Sequence, residues 1–266
     1  MGWFYHQYID KGSDGMAHTE AQRAEVIAAC LLAGRILVEN GSEISRAVDT
    51  MERIAKNAGM ESVQLFVTVT GIMLSVENQP NAQVAGITRR TIDLDKVARV
   101  NDLSRSFAAH KIELSQMVAR LNEIDNNTPT FPFWQKFLAS GMLSAVLLVI
   151  FTKEYVDAPA GFVIGAIGYA VFYFFNRQVK IQFISEFFAS LAIGLLAALA
   201  VKLHLGVYLD NIIIGGVMPL VPGVPITNAV RDLVAGNLIS GPARAVEALL
   251  SAMAIGFGIV CVLHFV

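Results

Sequence analysis

Over residues 20–38 the apolar residues Val26, Ile27, Cys30, Leu31, Ile36 and Leu37 recur at helical spacing, interrupted only by Gly34. Asn40 and Gly41 end that run. Ser42 is placed to cap a second helix through about Asn57, with Ile44, Val48, Met51 and Ile54 on one face and Gly59 just past its end. The period then changes. Val63, Leu65, Val67 and Val69 alternate with other residues, and residues 72–76 continue in β-prone types after Gly71, which predicts two short strands in a hairpin. A third strand is expected over residues 86–92, with Arg89 and Arg90 on an edge or a solvated face. Leu94, Val97, Val100, Leu103 and Phe107 outline a further helix, and Ile112, Met117, Leu121 and Ile124 another. Residues 1–130 are therefore expected to form a small α+β domain.

Residues 126–133, with Pro129 and Pro132, read as a linker. Beyond them five apolar stretches follow, at 134–151, 158–175, 181–201, 205–221 and 245–266, each near the length that crosses a bilayer as a helix. The fold class expected is thus a membrane protein: an α-helical transmembrane bundle of about five helices over residues 131–266, preceded by the α+β domain. The fourth stretch is the unusual one. Pro219, Pro222 and Pro225 each remove a backbone donor and restrict the preceding residue, so a helix entering near Asn211 should break near Val221, with Gly223 as a further hinge position. Irregular backbone at membrane depth is tolerated only inside protein or beside a water-lined cavity, and discontinuous helices are where transporters hold substrate. A loop at the membrane surface is the alternative for the polar part. Small residues four apart, Gly161 and Gly165 or Ser190, Gly194 and Ala198, are expected to serve close helix packing.

Charge divides the chain in the same place. Residues 1–130 carry 13 Lys/Arg and 16 Asp/Glu, and residues 131–266 only 7 and 6. A net charge of −2 without a dense basic cluster gives no footprint for nucleic acid. With the first domain in the cytoplasm, Lys136, Arg177, Lys180, Arg231 and Arg244 fall on the inner side and only Lys153 and Lys202 outside, which favours that orientation in the cytoplasmic (inner) membrane, with Val266 outside. The N-terminus has neither the basic nor the apolar region of a cleavable signal. Cys30 and Cys261 lack metal-ligand spacing and read as buried small residues. The α+β domain carries no nucleophile–base set, phosphate loop, HExxH or CxxC pattern, and His18 and His110 stand alone as surface positions, so neither an enzyme nor a cofactor or metal site is expected.

The run PLVPGVPITNAVRDLVAGNLISGPAR resembles the signature of the threonine/serine exporter (ThrE) family, and specifically its shorter, YjjP-like members. GSEISRAVDTMERIAKNAGM, LFVTVTGIMLSV and VARVNDLSRSF agree with the same family in the same order, so the resemblance covers nearly the whole chain. It implies one component of a secondary, ion-gradient-driven exporter of threonine/serine or related amino acids or dicarboxylates. Single-chain members carry a second hydrophobic module after the one seen here, so the resemblance implies a separate small membrane subunit, self-association, or both. An accessory scaffold whose partner forms the pathway is the rival reading, and an intramembrane hydrolase using Asp210 the weaker one.

Under that implication, three acids in or at the edges of the apolar stretches matter: Glu186, Asp210 and Glu247. An acid near the membrane interior can pass a proton between the two faces, as a proton-coupled exporter requires. Asp210, followed by Asn211 as a substrate-binding amide, is the first choice for coupling and Glu186 the next. Asp210 is otherwise an acid at the outer interface, and Glu186 and Glu247 otherwise complement helix dipoles from the first two turns of their helices. A carboxylate substrate suits backbone donors at a half-helix N-terminus together with an arginine. Pro225 opens such a terminus, and Thr227, Asn228 and Arg231 supply a hydroxyl, an amide and a guanidinium on adjacent turns. Arg231 equally fits the positive-inside rule, pairing with Asp232 or lipid.

Overall fold

A computed structural model describes residues 20–77, 81–127, 131–179 and 183–265. The chain forms two compact units, Met1–Thr128 and Pro129–Val266. His18, Lys180 and Val266 lie outside the described residues.

The first unit begins with α1 (Glu20–Glu39) and α2 (Ile44–Asn57). Gly41, at φ +91°, reverses the chain between them, while the Ser42 N–H donates to Leu37 O at 2.9 Å and the Gly41 N–H to Val38 O at 3.4 Å. This paired closure stops α1 by satisfying its last carbonyls. It also corrects the expected cap. Ser42 is committed to ending α1, Glu43 holds the N-cap position of α2 without a side-chain capping bond, and the Ser42 hydroxyl donates instead to Glu43 O at 3.3 Å. Gly59 ends α2 in the same way, at φ +81° with Met60 N–H donating to Ala55 O at 2.9 Å. The exposed His110 sits at φ +53° just past the end of a later helix, which gives that lone histidine a conformational role.

Three strands, β1 (Val63–Val67), β2 (Gly71–Val76) and β3 (Gln83–Gly86), form an antiparallel sheet in that order. Thr68 closes the first turn, its Oγ accepting from the Thr70 and Gly71 N–H groups at 3.3 and 3.1 Å. The third strand ends where it was expected to begin. Beyond Gly86 the backbone runs along the end of α1, with the Arg89 N–H donating to Glu39 Oε1 at 3.4 Å, Thr91 N–H to Glu39 O at 2.8 Å and Asp93 N–H to Asn40 O at 3.2 Å. These bonds take the donors a strand would have used, so Arg89 and Arg90 stand outside the sheet. Two helices complete the unit, α3 (Leu94–Ala108), capped by Asp93, and α4 (Leu114–Asn127).

One core joins these elements: Ile36, Leu37, Met51, Ile54, Ile72, Leu74, Val100, Met117 and Leu121 are all buried in it. Gly34 is part of the fit rather than an interruption, since a Cβ there would lie 3.0 Å from Ile72 Cδ1 and closer still to Met51 Sδ. Arg35 pairs with Asp125 at 2.7 Å across α1 and α4. Cys30 is buried as expected; its thiol faces Met51 O at 3.6 Å, and burial pushes its pKa up to about 12, which keeps it protonated and unreactive. Phe66, Met73 and Val84, paired across all three strands, form an exposed apolar row on the outer side of the sheet.

The second unit is helical: α5 (Phe133–Thr152), α6 (Ala158–Gln178), α7 (Ile184–Lys202), α8 (Leu209–Val217), α9 (Gly223–Val234) and α10 (Ser240–Leu263). Four of these, α5, α6, α7 and α10, are long and apolar enough to cross a membrane, and α8 with α9 makes a fifth crossing if the bent pair is one span. The molecule is thus a mostly helical, multi-pass membrane protein. Their outer surfaces carry large apolar side chains such as Leu143, Ile150, Leu195 and Phe257, the arrangement expected where lipid replaces water. Cys261 is among the exposed residues, contrary to expectation, because it lies on the outward face of α10 and not against its neighbours. Small residues set the helix spacing, as expected. A Cβ on Gly161 would lie 2.8 Å from Leu148 Cδ1, and one on Gly194 3.0 Å from Val262 Cγ2.

Candidate translocation site at the broken helix

The short helix α8 packs against α5, α6 and α7, with Ile212 and Ile213 buried among them. It fits because two of its faces are bare: a Cβ on Gly215 would lie 2.8 Å from Leu148 Cβ, and one on Gly216 2.8 Å from Ile193 Cγ2. Its entry is fixed by a residue from another loop. Asp157, at the start of α6 and fully buried, accepts from the Val207 N–H at 2.7 Å and the Tyr208 N–H at 3.0 Å. The apolar pattern begins at Ala158, where α6 starts, and leaves Asp157 outside it. The available signal was an acid immediately before a helix opening with proline, an N-cap pattern, but the carboxylate serves α8 and not its own helix.

The other end of α8 tightens into a 3₁₀ turn at Met218–Leu220 and stops. Val221 is extended, the conformation favoured before proline, at φ −62° and ψ 128°. Pro222 then leads into α9, whose axis is bent 62° from that of α8. Pro219 lies in the 3₁₀ turn and Pro225 in the first turn of α9, where a missing N–H costs no helical bond. The Gly223 N–H closes the corner by donating to Val221 O at 2.8 Å.

The candidate residues do not converge. Asp210 and Asn211 stand in the first turn of α8, Asp210 exposed and Asn211 half-buried, with the rest of α8 and the 3₁₀ turn between them and α9. At helical rise that separation is roughly 15–20 Å before the bend adds to it. On α9 the Thr227 hydroxyl turns back on its own helix, with Gly223 O at 2.9 Å and Val224 O at 3.0 Å. Thr227 and Arg231 are exposed, whereas Asn228 faces inward and is buried.

That inward face carries a group the sequence reading left out of the site. Asn228 and Asp232, one turn apart, are buried while Ile226, Val230 and Val234 are exposed, so the inward face of α9 carries polar side chains. Arg244 Nε lies 3.4 Å from Asp232 Oδ2, with the two side chains 9% and 0% exposed. Arg244 was expected in the connection before the last span, and Asp232 as a partner for Arg231. Instead α10 begins five residues earlier than expected because Pro242 is tolerated in its first turn, which places Arg244 inside the helix and against α9. The same extension moves Glu247 beyond the first two turns, out of reach of the dipole role expected for it, while Glu186 stays in the first turn of α7, half-buried.

Comparison with known proteins agrees with this architecture. The ThrE family, described as "Putative threonine/serine exporter", matches residues 28–266. The "Probable succinate transporter subunit YjjP" of Escherichia coli (strain K12) is 26% identical over 256 residues, covering 92% of this chain and 96% of that protein. No solved structure matches. With a match that runs from within α1 to the last residue, through the broken helix and both of its neighbours, the chain belongs to the ThrE family.

Proposed function

We propose that this chain is one subunit of an ion-gradient-driven exporter that moves small carboxylates, either threonine/serine or a dicarboxylate such as succinate, out of the cytoplasm across the inner membrane. The observation that carries the reading is the proline-broken pair α8 and α9, bent by 62° within an apolar helical unit of an exporter family. Broken helices supply half-helix termini and irregular backbone where a substrate can be held. The related YjjP is named a subunit, which supports a second membrane subunit completing the pathway here, alone or together with a further copy of this chain. Within this reading the coupling carboxylate is Asp210, then Glu186, and Asn211, Thr227, Asn228 and Arg231 line the path at different depths instead of forming one cluster. The hinge consists of Pro219, Pro222, Gly223 and Pro225.

Inverted membrane vesicles from cells producing this chain with its partner subunit should accumulate labelled succinate or L-threonine when a proton gradient is imposed. Vesicles lacking the chain should not. Asp210→Asn keeps shape and hydrogen bonding but removes the titratable group, so gradient-driven uptake should fail while counterflow exchange persists. Equal uptake with and without the chain would refute the exporter reading, and normal coupled uptake by a well-inserted Asp210→Asn protein would move the coupling role to Glu186.

In the same reading the first unit is a cytoplasmic α+β domain and the chain ends outside, from the Lys/Arg asymmetry of the connections. A C-terminal reporter that is active only in the cytoplasm should stay silent; strong signal from it would remove the five-span arrangement.

A further inference from the structure

We infer that Arg244 is the group that receives a substrate carboxylate, and that Asp232 occupies it in the empty protein. The inference rests on the transport reading above and replaces Arg231 as the carboxylate anchor. Arg231 is exposed, where water or lipid headgroups compete for it, whereas Arg244 is buried, where a charge–charge contact is stronger.

Both members of the pair stand against the field of their own helices. Asp232 lies in the last turn of α9, where partial negative charge gathers, and Arg244 lies near the N-terminus of α10, where partial positive charge gathers. Neither is stabilised by its helix end, and each has lost most of its contact with solvent. Replacing such a pair by apolar side chains commonly leaves a protein as stable or more so, so stability alone does not account for it. Buried charges at membrane depth mark ion and substrate paths. What the arrangement provides is a desolvated guanidinium whose present partner is a carboxylate, and another carboxylate can take that place without a change in charge. Asn228, on the same buried face of α9 one turn earlier, adds an amide that can donate to an incoming carboxylate.

The test uses the full-length chain together with its partner subunit in lipid nanodiscs, with succinate and L-threonine as probes and the ligand-dependent rise in melting temperature as readout. The wild type should respond to at least one probe. Asp232→Asn keeps the volume but removes the competing carboxylate, and should bind that probe about tenfold more tightly. Arg244→Gln should lose the response, and Arg244→Lys, which keeps the charge without the planar fork, should weaken it by about tenfold. The paired variant Asp232→Leu with Arg244→Met should keep the ligand-free melting temperature and lose the response. If the apolar pair responds like the wild type, or if Asp232→Asn and Arg244→Lys leave affinity unchanged, the pair is only a clasp between α9 and α10 and the inference is wrong while the transport reading stands. A wild type indifferent to both probes overturns the transport reading, and this inference with it.

Discussion

Gly215→Leu should nearly abolish accumulation of folded protein. A Cβ at this position would lie 2.8 Å from Leu148 Cβ and 3.1 Å from the Ser144 carbonyl oxygen of α5, and a leucine adds three carbons beyond that point. Leu148 is fully buried and the carbonyl belongs to a helix backbone, so neither can swing aside; α5 would have to move as a body. Overpacking in a well-filled interior costs typically about 1–3 kcal/mol and more where backbone is met, and here it strikes the one helix that α5, α6 and α7 enclose together. Close backbone approach through small residues also holds membrane helices together without a hydrophobic driving force. Gly256→Leu is the matched control, because a Cβ on Gly256 of α10 has nothing within 4 Å. On gel filtration of detergent extracts, Gly256→Leu should keep the wild-type monodisperse peak and Gly215→Leu should lose it to aggregate. A wild-type profile for Gly215→Leu would mean that α8 is not seated against α5 as described.

The contrast between these two glycines marks what could be read from the residues alone. Glycine periodicity identifies a small-residue surface, yet Gly215 and Gly256 look alike until the neighbouring helix is in place. Local signals located local events well. Gly41 and Gly59 end helices because they adopt left-handed backbone, and the residue before Pro222 is extended, the conformation that a following proline favours. Signals that depend on a distant partner were missed or assigned to the wrong neighbour. Ser42 has the chemistry of an N-cap, but the six-residue closure of α1 had already claimed it. Arg89 and Arg90 have the look of a strand edge, but Glu39, fifty residues earlier, takes the backbone there. Asp232 follows Arg231 in the chain, while its partner is Arg244 on the next helix. Burial of a polar side chain is a tertiary fact, and neither Asp157 nor Asp232 differs in sequence from a solvated acid.

Asp157 therefore offers the second large effect, and one in which a nominally conservative change should behave like a deletion. The fully buried carboxylate accepts from two consecutive backbone N–H groups, Val207 to Oδ1 and Tyr208 to Oδ2, of the exposed turn before α8. Removing the acceptor leaves both donors without it just before α8 begins, and bonds to charged acceptors contribute about 1.5–3 kcal/mol each. Asp157→Ala should therefore loosen the entry to α8 by at least about 2–3 kcal/mol. Asp157→Asn should do nearly the same. An amide has one accepting oxygen and presents its NH₂ where the second acceptor stood, so one backbone N–H meets another donor. Hydrogen exchange measured over residues 203–210 in both variants should speed up by roughly 30- to 150-fold, the equivalent of that free energy, while exchange over α10, on which Asp157 has no hold, should be unchanged. If the segment exchanges at the wild-type rate in Asp157→Asn, the carboxylate is not what fixes the start of the broken helix, and Gly206 packed on Ile212 becomes the remaining anchor of that turn.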